Sequence, residues 1–448
     1  MCQKSTQSLR PLLIVEGANP NLTSASLVGW SCARSIAAKT SAHLVTHWRN
    51  RDAFIESGLV EGEDFTAIDT RRIQDLSWRV TKTLSRGDAF SWGLYAALSN
   101  LVYPFFERAV WHTFKSRLNS GEFDVVHRIL PLSPTTPSWL APRLKHAGVP
   151  FILGPLNGGV PWPNGFHHLR KAEKDFGGIL RPLHRLQPGH RSTYAHASAI
   201  LAGSRSAFKS IPKRCHDKCI FLPENAIEPL RFPLTVRSQR AAGPLRVVFI
   251  GRLVALKGVD MLIEAAIPMI LSGALKLEVM GDGPERKSLA EKLESHGIPA
   301  NSVLIGWIEH KDLSRQLKSA DLLAFPSIRE FGGGAVLEAM ALGVTPVVLN
   351  HGGPAELVPP GCGHVLPLAS SSQIVSSMRQ LFEYYVDRPG ELNIMGTAAQ
   401  AHVRRYFTWE ARSEQIVESY RWVLNQQDEK PNWGRPLGWP APSQSCVA

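Results

Sequence analysis

Short apolar runs recur along this chain, separated by longer mixed segments, and the spacing predicts a parallel sheet with crossover helices, twice over. In the first half, 12–17, 42–46, 125–129, 151–154 and 200–203 read as strands. A second series runs through 245–251, 276–281, 302–306, 322–326 and 346–349. Between the series lie Leu222-Pro223-Glu224-Asn225-Ala226 and a polar stretch ending at Gly243-Pro244, which read as a hinge. From 104 to 118 the period changes: Phe106, Val110, Phe114 and Leu118 recur every four residues, with Arg108, His112, Lys115 and Arg117 on other faces. That pattern predicts an amphipathic helix with a basic side, packed either on its own domain's core or at a membrane interface. The tail from Gln426 onward has no periodicity and reads as disordered.

Composition narrows the class. With 448 residues, two or three domains are expected, and 44% hydrophobic with 20% charged residues suits a soluble globular protein. No apolar run approaches the roughly 18 residues of a membrane span, and 12–17 suits a buried first strand better than a signal-peptide core. The six cysteines are scattered; Cys215 and Cys219 lie close but have no second ligand pair, so reduced thiols and a cytosolic setting are expected. Charge changes the picture more. Residues 1–225 hold 28 Lys/Arg against 16 Asp/Glu, while 226–448 hold 22 of each, so the whole excess of +12 lies in the first half. That half also carries 11 of the 16 histidines. An anionic partner is one reading of this asymmetry and a merely soluble basic surface the other.

The densest chemistry lies at 330–343. A strand-like segment, 320–327, is followed by Glu330-Phe331-Gly332-Gly333-Gly334 and then by a helix-forming run carrying Glu338. Glycines let backbone N–H groups approach a phosphate, and a helix start adds favourable dipole charge. The carboxylates suit hydroxyl groups instead, so a ligand with both phosphates and hydroxyls, a sugar nucleotide, fits the pair. Arg252 and Lys257, just after strand 245–251 and beside Gly251 and Gly258, suit a diphosphate, Arg as a planar fork and Lys as a mobile point charge.

The spacing of Glu330 and Glu338 resembles the E-x7-E signature of the retaining glycosyltransferases of family 4. Further motifs agree in order: Phe249-Ile250-Gly251-Arg252-Leu253 with Lys257-Gly258, Val279-Met280-Gly281-Asp282-Gly283-Pro284-Glu285, Pro346-Val347-Val348 before Gly352-Gly353-Pro354-Ala355-Glu356, and Phe407-Thr408-Trp409-Glu410. The resemblance implies an α/β architecture of the GT-B fold, two doubly wound Rossmann-like domains facing across a cleft. It implies that Arg252 and Lys257 bind the donor diphosphate and stabilise it as it leaves, that Glu338 holds the ribose hydroxyls and that Glu330 meets the donor sugar. Gly332, Gly333 and Gly334 would supply backbone donors, although the family's usual Gly-Phe-Gly after the first glutamate is here Phe331-Gly332-Gly333. Asp124-Val125-Val126-His127 is similar to the strand carrying a family histidine, often His-x-His; here the second position is Ile129, so His127 is either the catalytic-site histidine or its strand neighbour. The usual glycine-rich loop after the first strand is replaced by Asn19-Pro20-Asn21-Leu22-Thr23-Ser24. Gly154-Pro155-Leu156-Asn157-Gly158-Gly159 is a second post-strand turn, either a source of N–H donors or a tight loop without ligand, and His167-His168 with Arg170-Lys171 read as basic surface.

These readings predict an acceptor-side domain over 1–225, a nucleotide-sugar domain over 226–405, a helix over 406–425 packing back on the first domain, and a disordered tail over 426–448. The expected activity is a retaining, hexosyltransferase-type reaction from a nucleotide sugar to a hydroxyl of a glycan or lipid-linked acceptor, in cell-surface polysaccharide or glycolipid assembly. The setting is the cytoplasm or, peripherally, the inner face of the plasma membrane, with an anionic membrane surface as a candidate partner. No cofactor beyond the donor substrate is expected, and no metal, because no Asp-x-Asp motif is present to clamp one. The alternatives are a sugar-nucleotide epimerase of the same architecture and a basic nucleic-acid-binding protein. Against the latter, the arginines are dispersed and no basic tract is interleaved with aromatics.

Overall fold

The computed structural model describes residues 8–71, 79, 92–166, 169, 187–233, 243–310 and 312–433. His167, His168, Arg170 and Lys171, most of the polar stretch before Gly243, and the tail beyond 433 lie outside the described residues. The chain divides into two units. The first takes residues up to 159, 187–224 and 409–433; the second takes 160–166, 169, 225–233 and 243–408, apart from residue 311.

The first unit is built on a seven-stranded parallel sheet of order β3-β2-β1-β4-β5-β6-β7. Its strands are β1 (Pro11–Val15), β2 (His43–His47), β3 (Phe65–Ile68), β4 (Val125–Leu130), β5 (Phe151–Leu156), β6 (Ala199–Ala202) and β7 (Cys219–Phe221). Helices cover both faces, so strands such as β1 and β5 are buried at every position. The helix Trp92–Asn119 turns its stripe of Phe106, Val110, Phe114 and Leu118 into this core, each at most 1% exposed. The stripe therefore belongs to the core, and Arg108, His112 and Lys115 are left exposed. At the end of the chain the helix Trp409–Val423 packs against the helix Ala25–Ala37, with Lys39 reaching Glu414 at 2.9 Å.

The second unit holds a six-stranded parallel sheet of order β10-β9-β8-β11-β12-β13. It comprises β8 (Leu245–Ile250), β9 (Leu275–Met280), β10 (Leu304–Gly306), β11 (Leu322–Phe325), β12 (Thr345–Leu349) and β13 (His364–Leu366). Residues 160–166 pack within this unit: Phe166 is buried in its core, and Val160 O accepts from Arg329 Nε at 3.0 Å. Three strands that the apolar pattern did not predict, β3, β7 and β13, are outer strands of their sheets and only three or four residues long. Such edges carry too few apolar positions to show a period. Among the described residues no helix is long and apolar enough to cross a membrane.

Candidate functional site

In both sheets the strand order runs outward from a central pair, β1/β4 in the first and β8/β11 in the second. The loops leaving the carboxyl ends of such a pair diverge to opposite sides and leave a crevice where doubly wound sheets bind ligands. In the second unit this crevice gathers most of the residues the sequence singled out.

The loop after β8 is held close to the loop after β9. Gly251 N donates to Met280 O at 3.1 Å, and Leu253 N donates to Asp282 O at 2.9 Å. A Cβ at Gly281 would stand 1.9 Å from Gly251 O, so only glycine allows that approach. The loop then makes the single turn Ala255–Lys257 and, through Gly258 at φ 67°, enters the helix Val259–Leu271. Ile328 N and Ser327 Oγ, from the loop after β11, both donate to Leu256 O, at 2.9 and 3.3 Å. This stitching brings Lys257 Nζ onto Glu330 Oε2 in an ion pair, with the two side chains 16% and 19% exposed. The ammonium also stands 4.9 Å from the centroid of the Phe325 ring, a cation–π contact that fixes its approach. Arg252 does not join them: it is exposed, and its guanidinium makes no hydrogen bond or ion pair among the described residues.

Glu330 leads into Gly332 and Gly333, and the helix Gly334–Ala341 begins there with Gly333 as its cap at φ 114°. The amides of Gly332, Gly333 and Gly334 have no hydrogen-bond partner among the described residues, the normal condition of a helix start and the reason such ends receive anions. Gly352 and Gly353 back this turn: Gly353 N donates to Glu330 O at 3.2 Å, and a Cβ on Gly353 would lie 2.0 Å from Phe331 O. The glycine pair is there so that the second loop can press against the first.

Glu338 is the fifth residue of that helix, with its side chain 17% exposed, and His310 donates from Nε2 to its Oε1 at 2.7 Å. The Glu338 carboxylate holds the His310 imidazolium above its ordinary value, partial burial pulling the other way. Nothing in the sequence pattern pointed to His310, a single histidine in a polar loop with no spacing to a partner.

The first unit places its predicted residue differently. His127, on β4, is fully buried, with Nδ1 2.7 Å from Tyr420 Oη and Nε2 2.6 Å from Gly154 O. A carbonyl only accepts, so Nε2 carries the proton and Nδ1 accepts from the tyrosine. Both nitrogens are committed, and burial pushes the imidazole down to about 4. The ring has no free atom for a substrate; it ties the helix Trp409–Val423 to β4 and β5. The turn after β5 is likewise internally bonded. Asn157 Nδ2 donates to both carboxylate oxygens of Glu224 at 2.7 Å, Asn157 Oδ1 accepts from Ser204 Oγ at 2.9 Å, and Asn157 N donates to Leu132 O at 2.8 Å. The same unit buries a charged pair that has no signature in the sequence. Glu107, inside the apolar stripe, is 3.8 Å from Arg128 and accepts from Trp139 N at 2.6 Å and Leu140 N at 3.1 Å. Its burial raises the carboxyl above the usual range.

Comparison with known proteins bears mainly on the second unit. Residues 235–402 match the family model of glycosyl transferases group 1. The chain is 34% identical over 116 residues to a 2-deoxystreptamine N-acetyl-D-glucosaminyltransferase of Niallia circulans, covering 26% of this chain and 30% of that protein. It is 30% identical over 174 residues to a GDP-mannose-dependent monoacylated alpha-(1-6)-phosphatidylinositol monomannoside mannosyltransferase of Corynebacterium glutamicum, 37% of this chain and 44% of that one. The chain thus spans less than half the length of these curated relatives. Solved structures align over nearly the whole length. Anabaena Alr3699/HepE in complex with UDP superposes with a TM-score of 0.58 at 14% identity, covering 92% of this chain and 99% of that one. A glycosyltransferase from Rickettsia africae superposes with a TM-score of 0.62 at 13% identity, covering 94% and 100%. The fold is GT-B, with two Rossmann-like domains.

Proposed function

We propose that this protein is a retaining, metal-independent glycosyltransferase of family 4 whose second unit holds a nucleotide-sugar donor at the β8/β11 crevice. The observation that carries this is the meeting of Lys257 and Glu330. A phosphate-binding cation and a hydroxyl-binding carboxylate, 73 residues apart in the chain, converge over the carboxyl ends of the central strand pair. The open amides of Gly332, Gly333 and Gly334 belong to the same turn. In this scheme Lys257 leaves Glu330 for the diphosphate, Arg252 joins it from its exposed position, and Glu330 turns to the donor sugar while Glu338 takes the ribose. The charge that grows on the leaving diphosphate meets fixed cations and helix-start amides, which is where catalysis of this kind gains most. The acceptor hydroxyl attacks on the face from which the diphosphate departs, and a phosphate oxygen receives its proton. His127 takes no part, since both of its nitrogens are bonded within its own unit.

The neighbours support a nucleotide-sugar donor: the Anabaena protein is solved with UDP and also with UDP-glucose, and the mannosyltransferase of Corynebacterium glutamicum is named for GDP-mannose. The latter's lipid-linked acceptor and the basic first half of this chain support a glycan or lipid-linked acceptor and a setting at the inner membrane face.

A thermal-shift panel of UDP-, GDP- and ADP-sugars tests the donor assignment. One base class should raise Tm by about 2–4 °C at saturating ligand. NMR of the product anomeric proton should then show the donor's configuration retained. No shift with any nucleotide, or an inverted product, would contradict the proposal.

A further inference from the structure

Both glutamates in the proposed donor site are already engaged within the chain, Glu330 by Lys257 and Glu338 by His310. His310, in the loop after β10, donates from Nε2 to Glu338 Oε1 at 2.7 Å, and the two side chains are 41% and 17% exposed. The histidine ring rests edge-on to Phe232, centroids 5.7 Å apart, and its Nδ1 faces Arg231 Nη1 at 3.4 Å. Among the described residues, Glu338 and Arg231 are the charged groups that face the ring from the elements packed against it. A vicinal diol engages a carboxylate best with one hydroxyl on each oxygen, and here Oε1 is taken. The ring is held by its hydrogen bond to Glu338, a longer one with exposed Arg231 and one aromatic edge, and is half-exposed, so it can leave without opening the core.

We infer that His310 is a displaceable occupant of the ribose carboxylate: it competes with the nucleotide's ribose hydroxyls for Glu338 and thereby sets donor affinity. This rests on the reading of Glu338 given above. Arg231 opposes a charge on the ring and Glu338 favours it, with Glu338 prevailing. The protonated ring is therefore the stronger competitor. A ligand that displaces it removes the group that favours the imidazolium, so binding releases a proton and affinity rises with pH through the histidine range.

Calorimetric titration of the full chain with UDP, GDP and ADP, at about pH 6 and about pH 8, tests this on the wild type and His310→Gln. The glutamine cannot carry the charge. The variant should bind the preferred diphosphate about two- to fivefold more tightly than wild type at the lower pH, the size of a half-exposed ion pair. That advantage should shrink at the higher pH, and the wild type alone should show excess proton release. A variant weaker by one factor at both pH values would make His310 a ligand contact and overturn the inference. Identical pH profiles would overturn it too. If neither protein binds any of the three diphosphates, the donor-site reading itself has failed, visible in the wild type rather than in the difference. In NMR of the free protein, Glu338→Gln should lower the titration midpoint of His310; an unmoved midpoint would also remove the competition.

Discussion

Glu330 and Glu338 stand on the same turn and helix yet have different partners, Lys257 and His310. That difference suits a division of labour. Glu338→Gln should weaken free nucleoside diphosphate as well as nucleotide sugar, because ribose is common to both, whereas Glu330→Gln should spare the diphosphate and chiefly lower turnover. Calorimetry and initial rates on both variants check this, and one shared profile would end the division. A second expectation concerns His127. Its imidazole titrates at about 4 in the fold against an ordinary 6.5, so between those values the unfolded chain binds the proton and the native one does not. Stability is therefore fully present above about 6.5 and lost as pH falls toward about 4, by at most about 3 kcal/mol. Urea unfolding at these two ends should show the loss, and His127→Gln should flatten it. At this scale the sequence made Lys257 and Glu330 legible, because each lies in a motif with fixed spacing to glycines. His310 and Glu107 were not legible. The first meets its partner only because β10 and β11 lie in one sheet, and the second hides in an apolar helix stripe whose period it does not break.

Elements were read best where burial is complete. The continuous apolar runs of β1 and β5 announced themselves, and so did the period-four stripe of the helix Trp92–Asn119. Which of two surroundings the stripe faced was not written in its period, since a membrane and a core ask for the same pattern; the 0% exposure of Val110 and Phe114 decides it. The turn that forms the candidate site depends on a contact between elements, Gly353 against Phe331 and Gly332. Gly353→Ala would place a Cβ 2.0 Å from Phe331 O and 2.5 Å from Gly332 O. The variant should lose about 1–3 kcal/mol of stability and bind nucleoside diphosphate poorly, because residues 330–334 must move. Gly390→Ala is the control: its Cβ meets nothing within 4 Å in the helix Pro389–Tyr406, and it should be neutral or stabilising by about 0.4–1 kcal/mol. Equal melting temperatures for the two variants would show that the glycine contact does not hold the turn.

For the whole molecule, the two-sheet architecture was legible because its strands alternate with helices in two series, and a parallel sheet built that way leaves its loops at the carboxyl edge. The allotment of residues 160–166 to the second unit was not, since nothing in their composition sets them apart from the strands before them. The charge also divides by halves, +12 over 1–225 against zero over 226–448, so on this account the half that carries the candidate donor site draws a diphosphate by local placement rather than by a general field. That claim is tested most directly by calorimetric titration of wild type, Arg252→Ala and Lys257→Ala with the nucleoside diphosphate that the panel selects. Each charge-assisted contact is worth roughly 1.5–3 kcal/mol, so each variant should bind about ten- to a hundredfold more weakly. Arg252→Ala, at an exposed side chain with no partner among the described residues, should do so with its melting temperature unchanged. Wild-type affinity in both variants would contradict the account at its centre.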